Sequence, residues 1–173
     1  MKKIIFLIFV LTSFSAISQP AIKIFAYSQA VSPGIVPKGV TDENGKTITT
    51  KKEIAVNYYI FASYNKSIKI NIQEIWIKGT FFNPVVKSVD STPVLNINET
   101  IPGNTVKEVL VPATTKKVIS LKPGQLIKNH TIQVSTFRNL AKHSELIVSY
   151  SYKGRKFIIG IKKIKVLEPV AGV

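Results

Sequence analysis

The chain has 173 residues, with 24 lysines and arginines against nine aspartates and glutamates, which gives a formal net charge of +15 at pH 7. It contains no cysteine, which excludes a disulfide scaffold, a cysteine-ligated zinc site and a lipid-modified N-terminal cysteine. Its length fits one domain that buries enough surface to fold without such cross-links.

The first 18 residues have the pattern of a secretory signal peptide. Two lysines precede an apolar run from Ile4 to Leu11, and Ala16 and Ser18 occupy positions −3 and −1 of a cleavage site. The run is shorter than the roughly 20 apolar residues that a membrane-spanning helix needs. We therefore predict cleavage after Ser18, export to the periplasm or beyond, no transmembrane span after cleavage, and a single mature domain over residues 19–173.

The first half of the mature chain alternates apolar and polar residues at the period of a β-strand. Ile22 to Tyr27 predicts the first strand, and a loop at 32–39 and a hairpin turn at 41–46 follow. The run from Ile54 to Tyr64 is apolar on both faces, which predicts a central strand. The pattern therefore predicts a sheet from the start of the mature domain.

The next strand changes phase along its length. It begins at Ile68, and a shift at Gln73-Glu74 predicts a β-bulge. The bulge would place Trp76 on the face opposite Ile75 and Ile77. Shorter strands bounded by prolines are predicted beyond it, over residues 85–89, 94–97, 106–111 and 117–121.

The last third of the chain predicts two more turns and a terminal hairpin. Residues 122–125 read as a type II turn, 131–137 as a strand and 139–145 as one helical turn. A long hairpin follows between Leu146 and Ile161, with its turn at residues 153–156. A second phase shift at Lys162-Lys163 would direct two later side chains to the core, Ile164 and Val166.

Seven to nine strands with evenly spaced turns predict an all-β protein, namely an antiparallel β-sandwich or barrel. At the level of architecture the pattern resembles an immunoglobulin-like sandwich. The cysteine pair of that family is missing, and Trp76 is the sole candidate for its core tryptophan. The resemblance implies a scaffold that commonly displays binding loops, and it assigns no residue a role.

Catalytic and metal-binding residues do not form a recognisable pattern. His130 and His143 are the only histidines, and neither has a ligand-like spacing to the other or to a carboxylate. The nine acidic residues are scattered, and no glycine-rich phosphate loop is present. We therefore predict no catalytic site, no metal, no cofactor and no enzyme activity, while a hydrolase with an unrecognised site remains the least favoured alternative.

Basic residues near turns are the strongest candidates for a binding site. The predicted anion- or partner-binding residues are Lys153, Arg155, Lys156, Lys162, Lys163 and Lys165. Similar pairs occur at Lys51-Lys52 and Lys116-Lys117. The alternative is that these lysines only solvate strand faces and protect sheet edges. Arginine occurs only at positions 138 and 155, so no specific nucleic-acid partner is predicted.

Aromatic residues provide a second possible surface. Tyr59, Phe61 and Trp76 could form an exposed patch, or they could fill the second face of a two-layer core. The sequence as a whole favours an exported, non-catalytic binding or structural module of the bacterial cell envelope with an anionic partner. The main alternative is an assembly component that pairs with a larger envelope complex through strand edges or the aromatic patch.

Overall fold

A computed structural model describes residues 19–32, 55–101, 104–128 and 135–171. Within these ranges the chain is all-β, with ten strands, more than the seven to nine predicted, and one short helix. The predicted signal peptide, the hairpin turn at 41–46 and His130 lie outside the described residues, as does the loop at 32–39 except for Ser32.

Eight of the strands form one curled sheet, in the order β10-β1-β2-β7-β4-β3-β8-β9, and β5 and β6 form a separate hairpin. In chain order the elements are β1 (Ile22–Ser32), β2 (Ala55–Tyr64), β3 (Asn71–Ile77), β4 (Thr80–Ser88), β5 (Val94–Ile101), β6 (Asn104–Val111), β7 (Lys117–Leu126), α1 (Ser135–Ala141), β8 (Leu146–Tyr152), β9 (Arg155–Ile161) and β10 (Lys165–Ala171).

The pairing departs from the predicted antiparallel pattern in one place. Neighbouring strands of the large sheet are antiparallel except β1 and β10, which are parallel. The chain passes from the end of β9 to β10, which pairs with β1 at the other edge of the sheet. The first and last strands of the described chain are therefore neighbours.

Two predictions about the central strands are confirmed. Strand β2 lies between β1 and β7, and its Ile60 and Phe61 belong to hydrophobic clusters on opposite faces. The pairing of β3 with β8 shifts register between Ile72 and Glu74, as a bulge requires. Beyond this shift, Trp76 lies on the face opposite its two isoleucine neighbours in sequence.

The inner face of the curled sheet forms the main core. Ile60 on β2 and Leu121 on β7 belong to the same buried cluster as Ile75 on β3 and Val148 on β8. The two halves of the sheet thus share one set of inward-facing side chains. Burying a large aliphatic side chain contributes about 1.5–3 kcal/mol, so this cluster is the main source of stability.

The outer face of the β1–β2–β7 half is covered by the β5–β6 hairpin. Leu110 and Val111 on β6 pack in one cluster with Tyr27, Phe61 and Val118 of the large sheet. We call this arrangement the ribbon cover. Because a two-stranded hairpin is marginal by itself, contact with the sheet stabilises it.

The outer face of the β3–β8 region is covered by helix α1. Phe137 and Leu140 pack against a buried cluster of Trp76, Phe81 and Ile147. The helix approaches β9 closely at Gly160, where an added Cβ would lie only 2.7 Å from Leu140 Cγ. We call this arrangement the helix cover.

Three expectations for the second half of the chain were wrong. Residues 122–125 are part of β7 and make no turn, because Pro123 pairs with Pro84 of β4 where the register is already irregular. The strand expected over 131–137 gives way to α1 from Ser135 onward. Val166 is 70% exposed, and Leu167 is buried in its place.

Candidate functional site

The six predicted basic residues divide into two groups at opposite ends of β9. This strand spans Arg155 to Ile161, which corresponds to about 20 Å at the usual rise of a β-strand. One group lies at its start, Lys153, Arg155 and Lys156, and the other follows its end, Lys162, Lys163 and Lys165. A ligand that contacts both groups must therefore span that distance.

One lysine in each group is already in an ion pair. Lys156 Nζ lies 3.2 Å from Glu74 Oε2, and Lys165 Nζ lies 2.5 Å from Glu108 Oε1. The hydrogen bond with Glu108, together with its charge, raises the pKa of Lys165. Exposed pairs of this kind add little stability, so both lysines remain available to a stronger anionic partner.

The three predicted aromatic residues are divided between the two covers. Phe61 and Trp76 are buried, Phe61 under the ribbon cover and Trp76 under the helix cover. Tyr59 is half-buried, and its hydroxyl donates a hydrogen bond of 3.0 Å to Gln29 Oε1. Two of the three rings are thus buried, and the three do not lie side by side on one surface.

Several connections between strands lie together at one end of the sheet, which we call the loop end. Strand β2 ends at Tyr64, opposite Lys117 at the start of β7. The short connection 65–70 brings the start of β3 to the same end. Asn71 of β3 pairs with Ser151, which places the β8–β9 turn there as well. The loop end therefore includes the first basic group.

Three of these connections line an open groove of about 540 Å³, which we call the basic groove. They join β2 to β3, β4 to β5 and β6 to β7. Two valines among the lining residues are apolar, the buried Val118 and the half-buried Val89. The polar lining residues are Lys66, Ser88, Asp90, Ser91, Thr92, Thr114, Lys116 and Lys117.

Hydrogen bonds fix the walls of the basic groove. Thr92 Oγ1 donates to the carbonyl oxygen of Thr114 at 3.1 Å and accepts from the Thr114 amide at 3.0 Å. The Val89 amide donates to the Val118 carbonyl, and Asn65 Oδ1 accepts from the Ser67 amide within its own connection. The groove is therefore shaped before any ligand binds.

The charge of the groove is positive. Lys66, Lys116 and Lys117 are exposed and make no ion pair with the described part of the chain, while Asp90 is the one carboxylate among the described lining residues. Ammonium groups can bind an anion, and hydroxyl groups can donate or accept hydrogen bonds. The arrangement is therefore suited to binding a polar ligand of negative charge.

Sequence reasoning found part of this groove. The pair Lys116-Lys117 is a basic cluster in the sequence, but it is not among the six residues predicted to bind an anion. Lys66 is not part of a basic cluster in the sequence, and only the fold brings it to this pair. No sequence pattern assigns Ser88 and Ser91 to a binding site, since serine is common in loops and only the structure places these two together.

Other features of the described residues point to no further chemistry. A second open groove of about 510 Å³ is lined by the start of β2 together with Phe82, Lys122 and Pro123. Among the residues described, no three His, Asp or Glu side chains are grouped as metal ligands would be. Nor does any helix in those ranges have the length and apolarity to cross a membrane.

Comparison of the chain with protein-family models, with curated proteins and with solved structures found no match.

Proposed function

We propose that the chain is an exported, non-catalytic binding module of the bacterial cell envelope that binds an anionic partner through its loop end. The observation that carries this proposal is the convergence of Lys66, Lys116 and Lys117 on one groove. The signal-peptide pattern of the first 18 residues supports export. The inner core shared by both halves of the sheet supports an immunoglobulin-like sandwich, a scaffold that commonly binds through its loops.

Electrostatics favour a partner with many negative charges. The formal net charge of the whole chain is +15, of which Lys2 and Lys3 of the predicted signal peptide contribute two, so the mature domain keeps a large positive charge that attracts anionic surfaces and speeds association with them. Such attraction is screened over about 8 Å at physiological ionic strength, so binding through exposed lysines weakens strongly as salt increases. Anionic lipid headgroups and acidic polysaccharides are envelope components with this property.

The experiment is a salt-gradient elution from immobilised heparin, using two matched triple variants. One variant removes the basic group at the loop end, K153A/R155A/K156A, and the other removes the group at the far end of β9, K162A/K163A/K165A. Each variant loses three positive charges and breaks one exposed ion pair. We expect the first to elute at clearly lower salt than the second, because its residues share the loop end with the basic groove.

Two results would contradict the proposal. If the unmodified protein does not bind heparin or anionic liposomes even at low salt, the chain has no useful affinity for polyanions. If the two triple variants elute together and K66A/K116A/K117A elutes with them, retention depends on total charge and the loop end is not the binding surface.

A second candidate function is assembly into a larger complex. Leu95, Ile97 and Val109 on the β5–β6 hairpin are 41%, 56% and 51% exposed, and neither strand pairs with another described strand. Exposed strand edges with apolar side chains are suited to pairing with a partner strand. This function predicts an oligomer that persists at high salt, so a monomer at every salt concentration in light scattering would contradict it.

A further inference from the structure

We infer that the basic groove binds a saccharide unit that bears an anionic group, a carboxylate or a phosphate. This inference rests on the proposed function and deepens it by naming the ligand class and the residues. The anionic group would lie among Lys66, Lys116 and Lys117. The sugar ring would lie over Val89, within reach of the hydroxyl groups of Ser88 and Ser91.

The lining chemistry matches a sugar ring on each of its surfaces. A pyranose has C–H faces that pack on apolar side chains, and the half-buried Val89 provides such a surface. Its hydroxyl groups both donate and accept hydrogen bonds, and serine hydroxyls do the same. Asp90 accepts hydrogen bonds only, and sugar hydroxyls can supply them. One acidic sugar therefore has a group to match each part of the lining: the lysines, the serine hydroxyls, Asp90 and the apolar side-chain surface.

A simple anion or a flat lipid surface uses fewer of these groups. A bare phosphate would be attracted by the lysines and repelled by Asp90, and it would gain nothing from Val89. A bilayer surface is flat, whereas these residues line a concavity of about 540 Å³. That volume lies within the range of about 300–1,000 Å³ that is usual for small-molecule sites.

The groove is preorganised, which raises the affinity expected for a small ligand. The connection after β4 and the connection before β7 are held together by the reciprocal hydrogen bonds between Thr92 and Thr114. The amide of Lys116 donates to Thr114 Oγ1 at 3.2 Å, which fixes the backbone at one of the cations. Ordering of these loops therefore costs little when a ligand binds.

The experiment measures binding of trigalacturonate and of glucose 6-phosphate by two-dimensional NMR titration of the full mature chain. Maltotriose, inorganic phosphate and anionic vesicles are the comparison probes. Three variants are compared with the unmodified protein: K66A/K116A/K117A, the charge-matched K162A/K163A/K165A, and Ser91→Trp. The last keeps every charge and places a bulky side chain at an exposed lining position.

We expect one or both acidic sugars to shift amide signals of the groove connections, and maltotriose to bind much more weakly. K66A/K116A/K117A and Ser91→Trp should each raise the dissociation constant about tenfold or more, which is equivalent to about 1.4 kcal/mol of binding free energy. The charge-matched variant should change it less than twofold. Trigalacturonate and glucose 6-phosphate then distinguish a carboxylate from a phosphate as the preferred group.

The inference is overturned if Ser91→Trp binds both acidic sugars as well as the unmodified protein does. Equal binding of inorganic phosphate or vesicles at the same groove amides would also overturn it, since the sugar ring would then contribute nothing. Heparin retention of the unmodified protein separates the two proposals. Retention without sugar binding by the unmodified protein rejects the saccharide, whereas absence of retention rejects the proposed function itself.

Discussion

The ribbon cover and the helix cover protect outer faces of the same curled sheet by different means. Under the ribbon cover, the buried Tyr27 hydroxyl donates a hydrogen bond of 2.7 Å to the Leu110 carbonyl. Under the helix cover, Phe137 stacks on Phe81 at 5.3 Å between ring centroids and meets Trp76 edge to face at 6.1 Å. One cover is fastened by a polar contact, and the other is held by aromatic packing.

The difference reflects what each cover can form alone. Helix α1 has only seven residues, which is too short to be stable in water, so its aromatic contacts must hold it. The hairpin has its own ladder of backbone hydrogen bonds, to which packing on the sheet adds the rest of its stability. The short helix is therefore held by aromatic contacts, whereas the hairpin adds a directional hydrogen bond to its apolar packing on the sheet.

The largest expected effect is that of Trp76→Ala under the helix cover. Trp76 is only 8% exposed and contacts Phe137, so truncation leaves a large cavity and removes the partner of the helix. We expect a loss of about 3–5 kcal/mol in the free energy of unfolding. Urea denaturation followed by circular dichroism measures it, and a loss below about 1 kcal/mol would mean that the sheet is stable without this cover.

A smaller loss of stability is expected from Phe137→Ala. Tryptophan fluorescence of this variant also distinguishes the helix cover from the ribbon cover. The single tryptophan lies under the helix cover, so its emission reports on that cover alone. We expect about 2–3 kcal/mol of destabilisation, below the usual range for a fully buried phenylalanine because Phe137 is half-buried. Its emission should also shift to longer wavelength as water reaches the indole ring.

The matched control for this shift is Leu110→Ala, which makes a cavity under the ribbon cover. That variant should lose stability without a shift in the emission of the folded protein. If Leu110→Ala shifts the emission as much as Phe137→Ala does, the two covers are coupled and the comparison fails.

The polar contact of the ribbon cover is tested by Tyr27→Phe. The substitution keeps the ring and removes the hydroxyl, so the buried Leu110 carbonyl loses its partner. We expect a loss of about 1–2 kcal/mol, measured by urea denaturation. No change would show that apolar packing alone positions the hairpin.

The smallest effect at neutral pH is expected for Tyr150→Phe in the inner core. The Tyr150 hydroxyl is buried and makes no hydrogen bond of good geometry with the described residues, although the Gln19 side chain is near enough to oppose the effect of burial on its pKa. Its removal should leave the stability unchanged or slightly raised, since a buried hydroxyl without a partner is unfavourable. Thermal unfolding at pH 7 measures this difference.

At alkaline pH, Tyr150 should have a measurable effect on stability. Burial raises the pKa values of Tyr27, Tyr64 and Tyr150 above the ordinary value of 10.0. Each folded tyrosine therefore retains its proton where the unfolded chain has lost it, so stability is complete below pH 10 and falls as pH rises above it. The free energy of unfolding of Tyr150→Phe should fall less steeply from pH 9 to 11 than that of the unmodified protein. Identical slopes in denaturation experiments would contradict the raised pKa of Tyr150.

The sequence predicts a strand well where the spacing of apolar side chains along that strand is enough to define its faces. The central position of β2 and the bulge before Ile75 follow from the spacing of side chains along one strand. The continuation of β7 through Pro123 does not, because it depends on pairing with Pro84 from a distant strand. Gly124 is also predicted to lie in a turn. It lies instead so close to the neighbouring strand that an added Cβ would be 2.7 Å from the carbonyl oxygen of Asn83.

The candidate site was harder to predict than the fold. Lys153, Arg155 and Lys156 lie within four residues of sequence, and the structure keeps them together at the loop end. Lys66 joins Lys116 and Lys117 only because β2 pairs with β7, a contact between residues about 50 positions apart. Composition predicted a basic surface, but only the strand pairing decides which cations share a groove.

The parallel pairing of β1 with β10 determines how the domain would respond to mechanical force. Tension applied at Ile22 and at Ala171 pulls these neighbouring strands along their lengths in opposite directions. Their interstrand hydrogen bonds are then loaded together in shear, whereas tension across an antiparallel hairpin opens one bond after another. In single-molecule stretching, we expect the domain to unfold at higher force when tension is applied at Ile22 and Ala171 than when it is applied to the two strands joined by the β8–β9 turn.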